Sequence, residues 1–142
     1  MKPYLLHPAA VHFPIALLFA GFLGAVAGRF SERAARQADA VSWLLWLGTA
    51  SAWVSLGLGL LAERTAPHVP PAWEALALHE TLAWWTVGLS TVLSAWRAWR
   101  PAWQPGLFAV VYAAAVALSL WTGYQGGELV FTHNMGTAAS EP

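Results

Sequence analysis

The side chains best suited to chemistry in this 142-residue chain are five histidines, His7, His12, His68, His79 and His133. There is no cysteine, so disulfides, thiolate metal sites, thioether-linked haem and cysteine nucleophiles are excluded. An imidazole can bind iron or copper through one ring nitrogen, or move a proton. His12 and His79 each lie inside an expected spanning helix, where an ionisable group is costly and points to function. Their placement predicts a pair of ligands facing each other across a helical bundle. His7 precedes Pro8 and reads either as a helix-starting cap or as a further ligand. His133 follows a glycine cluster and reads as a lid residue or another ligand. His68, flanked by Pro67 and Pro70, reads as an interfacial loop residue.

Other chemistries find less support. There is no His-Glu-x-x-His zinc motif, and no Ser, His and Asp arrangement recurs at a membrane edge. Gly123-Tyr124-Gln125-Gly126-Gly127 lacks the lysine and the strand-to-helix setting of a phosphate loop. Glu80 beside His79 suits proton handling, or simply the dipole of a helix first turn. The net charge is zero, leaving no basic face for nucleic acid.

The elements that carry the histidines follow from composition. Charged residues make up 10% and hydrophobic residues 58% of the chain, whereas soluble domains carry roughly 25% charge. Pro3–Gly28, Ala40–Ala62, Thr81–Trp96 and Pro101–Gly127 contain no formal charge, and a spanning helix needs about 20 apolar residues. The expected fold is an all-α integral membrane protein, an antiparallel four-helix bundle forming a single domain over 1–142. Its helices are expected near 9–28, 41–62, 72–97 and 105–123, with a tail over 124–142. The third charge-free core is too short to span, so that helix is expected to start just after Pro70 and Pro71. The fourth is expected to end at Gly123, Gly126 and Gly127. The first segment carries Pro8 and Pro14 and is followed by arginines from Arg29 to Arg36, so it reads as a retained helix, not a cleaved leader.

Four spans place both termini and the second loop on one side, with the other two loops opposite. Arg29, Arg33, Arg36, Arg97 and Arg100 fall on the loop side, and only Lys2 and Arg64 on the side of the termini. The positive-inside bias then puts both termini at the periplasm or exterior of a bacterial inner membrane. All five histidines fall toward that outer side. Trp43, Trp46, Trp96, Trp99 and Trp103 near one boundary, with Tyr4, Trp73, Trp121 and Tyr124 near the other, read as interfacial belts. Gly48, Ala52, Ser55, Gly59 and Ala62 form a small-residue stripe, as do His79, Ala83, Thr86, Ser90 and Ser94. Such stripes let helices approach closely and should face inward. No internal repeat stands out.

The run His7-Pro8-Ala9-Ala10-Val11-His12-Phe13-Pro14-Ile15-Ala16-Leu17-Leu18 resembles the opening signature of a bacterial membrane-protein family, domain of unknown function 2231. His79 and Gly126-Gly127-Glu128-Leu129-Val130-Phe131-Thr132-His133 are similar to its other two landmarks, so the resemblance covers nearly the whole chain. Departures lie at Asn134-Met135-Gly136-Thr137, in place of a glycine and valine pattern, and at Ala62-Glu63, where a glycine and an acidic residue are commoner. The resemblance implies a four-helix, histidine-bearing plan similar to that of small membrane b-type cytochromes, an analogy that supplies no activity by itself.

Haem chemistry also suits the residues directly. Haem iron accepts two axial imidazoles, and its porphyrin needs an apolar slot. His12 and His79 are the expected axial pair, with Gly59, Ala83 and Ala16 making room. His7 and His133 would bind a second haem or support the first, Arg64 would meet a propionate beside Tyr4 or Tyr124, and Met135 is an alternative ligand. The leading expectation is an electron-transfer protein holding one haem b or two. Its expected partners are lipid, quinol and other redox subunits of a homo- or hetero-oligomeric complex, and its status as an enzyme stays open. The alternatives are a histidine-based copper or iron site and a non-catalytic membrane anchor.

Overall fold

The computed structural model describes residues 2–67, 69–100 and 105–137. His68, Trp103 and Glu141 lie outside the described residues. Helices α1 (Leu6–Ala10) and α2 (His12–Ala27) form one span broken at Val11. Then follow the short α3 (Glu32–Ala35) and the long α4 (Ala38–Thr65), α5 (Trp73–Trp99) and α6 (Pro105–Phe131). No strand occurs among the described residues.

The break at Val11 has a local cause. Pro14 has no N–H to give the carbonyl of Ala10, so the ladder cannot pass through that turn. Pro14 instead occupies the first turn of α2, where the missing donor costs nothing.

Packing partners run in opposite senses along neighbouring helices. A Cβ on Gly24 would meet Val41, and one on Gly48 would meet Leu18, so α2 and α4 form a hairpin. Trp96 stacks edge-to-face on Phe108 and Thr86 bonds Thr122, pairing α5 with α6. Across the bundle Thr49 bonds Ser94 and Arg97 bonds Ser42, which sets α4 beside α5. Ile15 faces Gly123, which sets α2 beside α6. The first span and α5 are therefore diagonal.

Among the described residues three spans are long and apolar enough to cross a membrane, Pro3–Ala27, Ala38–Thr65 and Pro105–Phe131. Large apolar side chains point outward on them, including Phe13 at 64%, Val54 at 60% and Val110 at 66% exposure. Helix α5 is as long as α6, but Trp, Thr and Ser residues in it take the place of Leu and Val.

The interior divides into two halves. Leu18, Leu45, Leu93 and Tyr112 are fully buried in the half nearest the α5–α6 connection. The opposite half, toward the termini, holds a cavity. The small-residue stripes do face inward, with Gly48, Ala52, Ser55, Thr86 and Ser90 buried. Hydroxyls knit the helices together: Thr86 and Thr122 are 2.9 Å apart, Thr49 and Ser94 2.8 Å. Where lipid replaces water, such bonds and close packing supply what burial supplies in a soluble core.

Helix α6 departs from expectation. It runs through Gly123, Gly126 and Gly127 to Phe131, eight residues beyond the expected end at 123. Those glycines serve close approach: a Cβ on Gly123 would meet Ile15 at 3.2 Å and one on Gly126 would meet His79 at 3.1 Å. The left-handed residues that turn the chain come later, at Asn134 (φ 55°) and Gly136 (φ 74°).

Candidate functional site

His7 sits in α1 and His79 in α5, diagonal to one another, with ring centroids 6.1 Å apart and ring planes at 79°. Each ring is held from behind by the neighbouring helix of its own hairpin. His7 Nδ1 is 2.9 Å from the Ser55 carbonyl, and His79 Nδ1 is 3.0 Å from the Thr122 carbonyl. A carbonyl only accepts, so in both rings Nδ1 carries the hydrogen and Nε2 keeps its lone pair. This is the arrangement by which a backbone carbonyl orients a metal-binding imidazole.

The same helices supply the space. One turn beyond Ser55 lies Gly59, where a Cβ would meet His7 Cε1 at 3.1 Å. One turn beyond Thr122 lies Gly126, where a Cβ would meet His79 Cε1 at 3.1 Å. Histidine, carbonyl and glycine thus recur in each hairpin, an internal duplication confined to the site. Only these few positions match and the connecting lengths differ, so inspection of the sequence did not find it.

A cavity of about 700 Å³ surrounds the pair, lined from all four long spans and mostly apolar. Its lining includes Tyr4, His12, Gly59, Glu80, Ala83 and Met135. Ser55 also lines it, and its Oγ is buried without a hydrogen-bond partner among the described residues. Met135 reaches the cavity because the chain reverses at Asn134; its N–H returns to the Leu129 carbonyl at 2.9 Å.

The expected residues are distributed unequally. His79 faces His7, whereas the expected diagonal partner, His12, is exposed at the cavity edge with Nδ1 at 3.4 Å from the Ala9 carbonyl. Five residues apart, the two histidines of the first span point about 140° from one another round the helix, so only one of them faces His79. His133 is half-buried beyond α6 and does not line the cavity, and Arg64 is exposed and does not line it. Ala16 and Tyr124 are exposed. The two anchoring carbonyls and Gly126 as a ring cradle were missed at the sequence level; the stripe of Ser55 and Gly59 was the signal for one half.

The family model described as predicted membrane protein, domain of unknown function 2231, matches residues 4–139. The chain belongs to this family. Neither the curated proteins nor the solved structures compared with it contain a match. Family membership therefore identifies a membrane protein and leaves its chemistry to the site. The match takes in His7, His12, His79 and His133 together.

Proposed function

We propose that the protein is a membrane-embedded b-type haem-binding electron-transfer protein in which His7 and His79 are the axial pair. The observation that carries this reading is the separation of the two rings. Two imidazoles bound in line to one metal, each through a nitrogen at the roughly 2.0 Å usual for such bonds, have centroids on the order of 6 Å apart, and those of His7 and His79 are 6.1 Å apart. Both free Nε2 lone pairs belong to rings braced from behind, and the surrounding space is apolar and of cofactor size.

The donor set favours haem over a bare ion. Among the described residues no three His, Cys, Asp or Glu side chains gather as a ligand group, and a porphyrin needs only two from the protein. Haem bound between the rings would supply a one-electron couple. The chain's residues would orient the imidazoles through Ser55 and Thr122, keep the slot open at Gly59 and Gly126, and exclude water with the apolar lining. Arg64 is not placed to meet a propionate, so that role is not assigned to it.

Helix α5 belongs in the bilayer with the other three on this reading. Its polar residues, His79, Thr86 and Ser90, turn inward, while Leu78, Trp84, Trp85 and Val92 are exposed. Lipid meets the outer face and not the helix average. The arginine distribution favours both termini outside a bacterial inner membrane, with the haem near that outer face and redox subunits or quinol as partners.

Absorption of the purified protein before and after dithionite tests this. A Soret band and a sharpened reduced α band are expected. His7→Ala and His79→Ala should each lose them, whereas His133→Ala and Arg64→Ala should keep them. Full haem occupancy in both of the first two variants would overturn the assignment.

A further inference from the structure

The two halves of the site are alike at the rings and differ at their lateral edges. Five residues after His7 stands His12, and five after His79 stands Trp84. At 3.6 residues per turn, that spacing carries a side chain about 140° round the helix, away from the centre and toward a seam between the hairpins. The seam between α4 and α5 is covered by aromatics. Trp84 packs edge-to-face on Trp53 with centroids 6.3 Å apart, and its indole N–H reaches Glu80 at 3.4 Å.

The seam between α2 and α6 is built differently. Its α6 side carries Gly123 and Gly127, and a Cβ at Gly127 would meet nothing nearer than Phe131 at 3.9 Å. His12 on the α2 side is exposed, has a long contact of 3.4 Å with the Ala9 carbonyl, and shares the cavity of His7 and His79. It lies more than a turn further along an apolar span than His7. An imidazole exposed at that depth needs a polar partner.

We infer that the seam between α2 and α6 is a lateral mouth for the ring headgroup of a membrane-soluble quinone or hydroquinone, with His12 hydrogen-bonded to one ring oxygen. This rests on the haem reading for its purpose, since the headgroup would lie beside the His7–His79 pair. The chemistry of the mouth selects the class. A ligand that enters from lipid must be apolar, one that passes a glycine-lined seam must be flat, and a lone imidazole pairs with a ring oxygen.

The test uses decylubiquinone added to the full-length protein in phosphatidylcholine nanodiscs, read by quenching of tryptophan fluorescence, with the reduced haem spectrum recorded on the same samples. Wild type should quench saturably. His12→Ala should weaken binding at least tenfold, His12→Gln should restore most of it, and Gly127→Leu should abolish it. Trp84→Phe, at the opposite seam, should leave the midpoint unchanged. Quenching that rises linearly in wild type, or a midpoint unmoved by His12→Ala and Gly127→Leu, would overturn the mouth. So would a dimer that His12→Ala dissociates, because a second copy would then occupy the seam. Saturable quenching without haem would overturn the haem reading alone; a normal haem spectrum with linear quenching would overturn the mouth alone.

Discussion

His7 and His79 stand on diagonal helices, and their rings lie 6.1 Å apart while each is held against the neighbouring helix of its own hairpin. A carbonyl anchors each ring and a glycine one turn away makes room for it, Ser55 with Gly59 and Thr122 with Gly126. The pairing is thus a property of four helices acting together.

The glycines give the first prediction. Gly59→Val and Gly126→Val should displace His7 and His79, strain the Nδ1–H bonds to Ser55 and Thr122, and convert bound haem from low-spin to high-spin. Gly57→Ala and Gly88→Ala, where an added Cβ meets nothing within 4 Å, should leave the spectrum unchanged and stabilise the helix by about 0.5–1 kcal/mol. Absorption spectra and thermal unfolding in detergent check both halves of the contrast.

The second prediction concerns the close-packed half and is independent of any cofactor. Tyr112 is fully buried, its hydroxyl has no partner among the described residues, and a Cβ on Gly21 would overlap that hydroxyl. Gly21→Ala should therefore cost about 1–3 kcal/mol by overpacking. Tyr112→Phe should fall within about 1 kcal/mol of wild type, since it removes an unpaired buried group. The double variant should recover most of the loss, as measured by a double-mutant cycle on unfolding.

How much of this was legible beforehand depends on the residue. Helical class, inward stripes and the importance of His79 could be read from Ser55, Gly59, Thr86 and Ser90, whose spacing keeps one face small. The choice between His7 and His12 could not, because a spacing of five residues says that the two diverge round the helix and not which of them faces inward. Glycine was read as a helix terminator at Gly123 and Gly126, but there the missing Cβ makes room for Ile15 and His79. A glycine's local preference and its tertiary use look identical in one sequence.

Topology gives the third prediction. The chain has no cysteine, so single cysteines report without background. Glu32→Cys should be shielded from a membrane-impermeant thiol reagent in intact cells, whereas Arg64→Cys and Asn134→Cys should react from outside. Labelling of Arg64→Cys and Asn134→Cys from opposite sides would rule out α5 as a spanning helix.

Electron paramagnetic resonance of the oxidised, haem-loaded protein tests the central claim most directly. Rings held at 79° leave the two iron π orbitals that face them nearly equal in energy, so a highly anisotropic low-spin signal dominated by one large g value is expected. His7→Ala or His79→Ala should abolish it. A high-spin signal in the wild-type protein, or a low-spin signal that survives both substitutions, would contradict the pairing of His7 with His79.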